Sequence, residues 1–206
     1  MSKGLKIFLV VAALTVFAVG TALAIGLPGV PGASKLKKET KSFTLGDLDP
    51  SLKAFEGKEL DPVKADKKFA CNVFGDAEYD KVAIAVTKIE LATAFANNVL
   101  ADANPKIDAA KSPADLKAVQ ANLDAAQKVV AALTTACKSL VDGAKSCATG
   151  LPSKATSDPV GYGANIKDMT NVLAKLPDLL SGMPKTIGDL TTTMGKATTK
   201  AASFAK

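Results

Sequence analysis

The 206-residue sequence contains no arginine, no histidine and no tryptophan. Histidine is the commonest general base and a common metal ligand, so its absence removes most acid–base and metal-dependent chemistry. Arginine supplies the bidentate contacts that recognise phosphate and guanine, and these are missing as well. The absences favour a non-catalytic protein that needs no cofactor and binds no nucleic acid.

Aromatic residues are also scarce, at 5%, whereas apolar residues make up 48% of the chain. The core must therefore be built from Ala, Val and Leu, which favours closely packed helices over a sandwich or a barrel. All 26 basic residues are lysines, against 20 acidic residues. This modest excess is spread along the chain, as is typical of solvated helix surfaces.

A secretory signal peptide is the clearest feature that is present. Lys3 and Lys6 precede an apolar run over residues 7–19, and Ala22-Leu23-Ala24 supplies the small residues at which a signal peptidase cuts. Cleavage near Ala24 predicts an exported protein, either periplasmic or secreted. Apolar character continues to Leu27, about 20 residues in all, so an uncleaved anchor that tethers the protein to a membrane is the alternative.

The rest of the chain is predicted to be a linker and one domain. Residues 25–47 are rich in Pro, Gly and Lys and are predicted to be flexible, and residues 48–206 are predicted to form a single helical bundle. Proline follows a residue suited to helix capping at five places, a pairing typical of a first helical turn. The five pairs begin at Asp49, Asp61, Asn104, Ser112 and Asp158, although the third also fits a turn between helices.

The first two of these pairs predict two short N-terminal helices, ending near Gly57 and near Ala70. Helix A is predicted from about residue 76 to 103 and is apolar on two sides, so we expect it to be packed on two sides. Helix B is predicted from about residue 113 to 148, where Gly150-Leu151-Pro152 should end it. Its apolar residues alternate in steps of three and four, which forms a heptad seam from Leu116 to Cys147.

Helix C carries a second seam that runs from Tyr162 to Phe204 in the same alternating steps. The seam keeps its phase across Pro177, Gly182 and Pro184, so one long helix with a kink and a candidate hinge at these residues is predicted. The alternative is two helices divided at Ser181–Pro184. Three long helices, the last kinked or split, with two short N-terminal ones and short connections, predict an all-α antiparallel bundle.

Three cysteines, Cys71, Cys137 and Cys147, would meet an oxidising compartment after export. Cys137 and Cys147 lie about 15 Å apart along one continuous helix, whereas a disulfide needs Cα atoms within about 7 Å. If helices A and B form an antiparallel hairpin, Cys71 lies level with about residue 144. A Cys71–Cys147 disulfide is therefore predicted, with Cys137 left as a buried free thiol.

No catalytic or metal-binding motif is found, so two functions are predicted, neither of them catalytic. The first is an interaction or scaffold module of the cell envelope or extracellular space, with a protein partner or self-association through a seam. The second is a carrier or membrane-active bundle that binds lipid or another apolar ligand. The candidate apolar ligand or partner surface lies on helix C and comprises Met169, Leu173, Leu180, Met183 and Ile187.

Overall fold

The structure is a computed structural model that describes residues 36–65 and 68–205. Long α-helices account for most of these residues, and the predicted all-α helical bundle is confirmed. The predicted signal peptide, its alternative as an anchor, and residues 25–35 of the predicted linker lie outside the described residues.

Four long helices are present in the described ranges, where three were predicted. They are α1 (Ala77–Ala109), α2 (Pro113–Lys138), α3 (Leu140–Ser157) and α4 (Ala164–Ser203). The additional helix arises because predicted helix B is divided into α2 and α3. A five-residue π-helical turn, Pro159–Gly163, leads from α3 into α4.

The segment before α1 contains a small sheet that the sequence did not predict. Its two paired strands are β1 (Glu39–Ser42) and β2 (Ala70–Val73). The Phe43 amide donates to the Phe69 carbonyl at 2.8 Å and the Lys37 amide donates to the Phe74 carbonyl at 3.2 Å, so the strands are antiparallel. The predicted linker therefore contains a strand and, at Leu45–Asp47, a 3₁₀ turn. Pairing with a strand thirty residues away leaves no periodic signal in a short lysine-rich stretch.

The two predicted short helices are only 3₁₀ turns, Pro50–Phe55 and Pro62–Ala65, and a third such turn spans Leu45–Asp47. Their starts are nevertheless capped as predicted. The Asp49 carboxylate accepts from the Ser51 amide at 2.8 Å, and the Asp61 carboxylate accepts from the Val63 amide at 3.0 Å. The first turn is short because Gly57, with a φ of +70°, follows soon after it.

Helix α1 is covered along its middle by the rest of the chain, in agreement with its two apolar sides. None of residues 82–96 is exposed. The helix also continues through Asn104 and Pro105 to Ala109, so the predicted end near residue 103 and the predicted helix start or turn at Asn104 are wrong. The buried stripe explains the extension, because Ile107 and Ala110 continue it beyond Ala103.

The seam of predicted helix B is buried at most of its positions, but the helix itself differs from the prediction. It is interrupted at Ser139, between Lys138 and Leu140, and it runs past Pro152 to Ser157. Gly150-Leu151-Pro152 does not end it, because Leu151 and Ala155 extend the buried stripe by two more turns.

Helix α4 is a single continuous helix, so the alternative of two helices is wrong. No residue of its predicted seam is exposed, from Tyr162 to Phe204. Hydrogen bonds join Gln127 to Thr191 and Thr134 to Met183, at 2.8 and 3.6 Å. The later residue of α2 contacts the earlier residue of α4, so α2 runs antiparallel to this part of α4.

The described chain divides into two compact units, neither of which is continuous in sequence. The first unit contains residues 36–41, Asn72–Ile84 and Ser139–Asp178, and the second contains Ser42–Cys71, Ala85–Lys138 and Leu179–Lys206. Each of α1 and α4 contributes one segment to each unit. None of the helices in the described residues is long and apolar enough to cross a membrane.

Candidate functional site

The most concentrated polar chemistry in the described chain lies in the first unit, at the N-terminus of α1. Asp76 precedes this helix, and its Oδ1 accepts from the amides of Glu78 and Tyr79 at 3.1 and 3.2 Å. The Asp80 carboxylate in turn accepts from the Phe74 and Gly75 amides, at 2.8 and 2.9 Å. Two carboxylates thus satisfy four amides that the helix and its leading turn would otherwise leave unpaired.

The second oxygen of Asp76 connects α1 to two other elements. Oδ2 accepts from Lys154 Nζ, in the last turns of α3, and from the Tyr162 hydroxyl, in the π-helical turn, each at 2.7 Å. The Asp76 side chain is only 5% exposed. We call these three side chains the Asp76 cluster. All four hydrogen bonds accepted by the carboxylate come from this small region, so no vacant acceptor position faces solvent.

Ionisation in the cluster is fixed by these contacts. Burial alone would raise the pKa of Asp76, but hydrogen bonds from Lys154, Tyr162 and a backbone amide together hold that pKa below its ordinary value. The hydrogen bond to Asp76 raises the pKa of Lys154. Burial, followed by the same carboxylate, raises the pKa of Tyr162 well above its ordinary value. The carboxylate and the ammonium are therefore charged and the phenol is neutral at any moderate pH.

Lys154 has two further neighbours. Its Nζ lies 5.5 Å from the centroid of the Tyr162 ring, within the range of a cation–π contact. It also lies 3.9 Å from a Glu78 oxygen, whose side chain is 67% exposed. The lysine side chain is itself 34% exposed, so the ammonium forms the solvent-facing edge of the cluster.

Neither Cys137 nor Cys147 is an activated nucleophile. Burial, followed by the nearby Asp76 charge, raises the pKa of Cys147 to about 11, and burial also raises the pKa of Cys137. Because only the thiolate is strongly nucleophilic, both side chains are unreactive in the folded protein. Cys137 is buried in the seam of α2, as predicted.

The predicted Cys71–Cys147 disulfide is wrong. Within the part of the chain that the structure describes, all three cysteines are buried and none is in a disulfide. The prediction counted residues along a helical hairpin, but Cys71 belongs to strand β2, and α1 extends to Ala109 before the chain turns. A helical register therefore does not locate Cys71.

The π-helical turn is held by its own set of contacts. The Asp158 carboxylate accepts from the Gly161 amide at 2.8 Å. The backbone carbonyl of Asp158 accepts from the Tyr162 and Gly163 amides at 3.0 and 3.3 Å. Asn165 Nδ2 donates to the Gly161 carbonyl at 2.8 Å. The predicted cap at Asp158 is thus present, although it begins a π-helical turn rather than α4 itself.

An open groove lies in the second unit, with a volume of about 660 Å³. Its lining is mixed and largely polar: Glu59, Leu60, Asp61, Lys64, Asn98, Ala101, Asp102 and Pro105. Two of its carboxylates already have partners within the chain. Asp61 accepts from backbone amides, and Asp102 forms an ion pair with Lys106 at 2.7 Å. No group of three or more Cys, Asp or Glu side chains in the described ranges could hold a metal ion.

The predicted apolar surface on α4 is largely closed. Met169 and Met183 are 0% and 1% exposed and Leu173 is 5% exposed, while Leu180 and Ile187 are half-buried. The structure does not bring these five residues to an open face. Pro177, Gly182 and Pro184 lie inside continuous α4, and their role as a hinge stays a prediction.

Sequence reasoning did not find the Asp76 cluster. Asp76 marked the approximate start of helix A, but its contacts with Lys154 and Tyr162 span 78 and 86 residues. In a chain with 26 lysines and 20 acids, no pattern distinguishes the pair of Asp76 and Lys154 from the pairs on the solvated surface. The chain matches no known protein family, and no curated protein and no solved structure is detectably similar to it.

Proposed function

We propose that this chain is an exported, non-catalytic helical-bundle protein that acts as an interaction or scaffold module of the cell envelope or extracellular space. The observation that carries the proposal is that the apolar seams of its long helices are used inside the fold. Leu116, Leu123, Met169, Leu176 and Leu190 are all 0% exposed. Recognition is therefore left to the outer faces, which carry Lys, Asp, Thr and small residues.

The polar chemistry supports a binding protein rather than an enzyme. A catalytic group must keep a free position for substrate and a pKa suited to proton transfer. Asp76 has its acceptor positions occupied and its pKa lowered, and the pKa of Lys154 is raised away from neutrality. Each pKa shift reflects stabilisation of the ionised pair, so the cluster has a structural role and holds α1 against α3 and the π-helical turn.

The same observations weigh against the carrier alternative. A carrier for lipid needs an apolar cavity or a face that opens, and typical ligand sites are concave and mostly apolar. The groove in the second unit is open and has Glu59, Asp61, Lys64 and Asp102 in its lining. The Met-bearing seam of α4, which motivated the carrier interpretation, is packed.

Export is tested by expressing the full chain, with residues 1–24, in cells that have a secretion pathway. We expect the protein outside the cytoplasm, and N-terminal sequencing should begin at Ile25. Recovery of the intact chain in the membrane fraction would instead support the uncleaved anchor.

Partner binding is tested on the protein in the cells that produce it, by cross-linking its many surface lysines with an amine-reactive reagent. We expect one discrete complex with another protein. Native mass spectrometry and liposome flotation of the purified mature protein should show no bound lipid and no membrane association. Co-purified lipid, or flotation with the liposomes, would contradict the proposal and support a carrier.

A further inference from the structure

The middle of α4 contains three residues that weaken a helix, Pro177, Gly182 and Pro184, within eight positions. A proline inside a helix has no amide to donate to the carbonyl four residues before it, and its ring crowds that carbonyl. Two backbone hydrogen bonds of α4 are therefore missing, one for each proline. We call residues 177–184 the α4 joint.

The packing around Gly182 does not explain why this residue is glycine. Gly182 is exposed, and no atom lies within 4 Å of the position that a Cβ would take. Alanine would therefore fit there. Because glycine is among the least favourable residues inside a helix, it loosens the joint further.

The apolar seam of α4 is sparsely buried at the joint. Before it, every seam residue from Ile166 to Leu176 is buried. Of the described residues between Leu176 and Leu190, Met183 alone is buried. Few buried apolar contacts hold this part of the helix, which is the physical condition for local opening without unfolding of the whole protein.

The neighbouring helix ends beside the joint. The contact of Thr134 with Met183 sets the antiparallel register of α2 and α4. Four residues after Thr134 is Lys138, the last residue of α2, and four residues before Met183 is Leu179. Lys138 therefore lies level with the joint, and the chain interrupts its helix immediately afterwards, at Ser139. Helix α2 thus flanks α4 from the joint onwards and not before it.

Missing hydrogen bonds, sparse burial and the end of the neighbouring helix coincide in one segment. The boundary between the two units also divides α4 within the joint, after Asp178. We propose that the α4 joint is a conformational device, at which α4 opens and bends in the folded protein while the helix on either side stays packed. This motion needs no partner, so it is independent of the proposed function.

Oxidation of methionine measures this opening, with a control inside the same helix. Met183 and Met169 lie on one seam and are 1% and 0% exposed, so a rigid α4 would protect them equally. Hydrogen peroxide transfers one oxygen atom to the thioether sulfur, which gives methionine sulfoxide and water. The purified folded protein is treated with dilute peroxide, and its peptides are followed by mass spectrometry. We expect Met183 to be oxidised about tenfold faster than Met169, because two missing hydrogen bonds lower the free energy of opening.

Restoring the two hydrogen bonds should close the joint. The double variant Pro177→Ala, Pro184→Ala regains both amide donors, and it should slow the oxidation of Met183 towards the rate of Met169. The matched control is Pro105→Ala, which replaces an exposed proline inside α1. This control should leave the ratio of the two oxidation rates unchanged.

Amide hydrogen exchange separates opening of the joint from opening of a whole unit. Met183 belongs to the second unit and Met169 to the first, so a less stable second unit would also favour oxidation of Met183. Residues 190–197 of α4 lie in the second unit as well. In the unmodified protein, we expect the amides of residues 178–187 to exchange faster than those of residues 166–176 and of residues 190–197. Equal exchange at the joint and over residues 190–197 would assign the opening to the unit and overturn the joint.

Two further results would overturn the proposal. Equal oxidation rates for Met183 and Met169 would mean that α4 is rigid and accommodates its prolines as a fixed kink. A rate ratio that persists in the double variant would mean that the prolines are not its cause. These measurements use the protein alone, so failure of the joint is distinguishable from failure of the proposed function, which is tested by cross-linking to a partner.

Discussion

Replacing Asp76 with alanine is the most informative perturbation of this structure. The substitution removes the cap on α1, the acceptor of the Tyr162 hydroxyl and the counter-ion of Lys154 in one step. It replaces no residue of the apolar core. Any loss of stability therefore measures the contribution of the polar contacts of Asp76.

The size of the loss follows from the contacts. A lost N-cap costs about 1 kcal/mol, and a hydrogen bond to a charged group contributes about 1.5–3 kcal/mol. The Lys154 side chain is 34% exposed and can regain water, so its share lies at the low end. We expect Asp76→Ala to lower the free energy of unfolding by about 3–4 kcal/mol, close to the cost of breaking a buried ion pair.

The pH dependence has a definite sign. The pKa of Asp76 is lowered in the folded protein, so its stabilising contribution is present above the ordinary aspartate pKa. That contribution is lost as the pH falls through the lowered folded pKa. The difference between the unmodified protein and Asp76→Ala should therefore be constant near neutrality and should shrink below about pH 4.

The tyrosines of the chain provide a fluorescence signal for the unfolding of one unit. The chain has no tryptophan and two tyrosines, Tyr79 and Tyr162, both in the first unit. Tyrosine emission during urea unfolding therefore reports this unit, while circular dichroism reports all helices. The control is Asp142→Ala, which removes an ion pair whose carboxylate is 93% exposed and should leave the free energy of unfolding unchanged. A loss below about 1 kcal/mol for Asp76→Ala, or a loss independent of pH, would refute the reasoning.

Three further predictions test other parts of the fold. Cys137 and Cys147 should resist iodoacetamide until the protein is unfolded, because burial raises the pKa of both thiols; mass spectrometry that finds either one labelled in the native protein would contradict this. Gly46→Ala should lower the free energy of unfolding by about 1 kcal/mol, because a Cβ there would lie 2.6 Å from a lysine methylene. Gly143→Ala should instead raise the free energy of unfolding by about 0.5–1 kcal/mol, because no atom lies within 4 Å of the added Cβ and alanine favours the helix. Pro184→Ala should restore a hydrogen bond inside α4 and slow amide exchange around the substitution, with a gain of about 1–3 kcal/mol in thermal unfolding; unchanged exchange would mean that the proline does not loosen the helix.

The all-α class and the seams were predictable because burial follows the helical period. Every residue of the predicted α4 seam is at least half-buried, and the prolines in it did not break the helix. The phase of a long apolar stripe is a stronger signal than a single helix-breaking residue, since packing along the stripe outweighs one lost hydrogen bond. The same reason explains why Ile107 and Leu151 extended helices past their expected ends.

The rest depends on contacts that no local pattern encodes. Strand β1 forms through pairing with residues about thirty positions later, and Asp76 meets Tyr162 across 86 residues. Interruption of the helix at Ser139 occurs within an unbroken heptad pattern, with Ser139 itself still near helical geometry. The disulfide prediction failed for a related reason, because it assumed a helical register for Cys71, a residue in a strand.

The discontinuity of the two units has a consequence for the timing of folding. The first unit needs residues 139–178 to join Asn72–Ile84, and the second needs the chain from Leu179 onwards. Neither unit can be completed before these late residues have been synthesised, and contacts of high sequence separation form slowly. A polypeptide that stays unfolded until its final third is made is well suited to being threaded through a membrane first, as the proposed export requires.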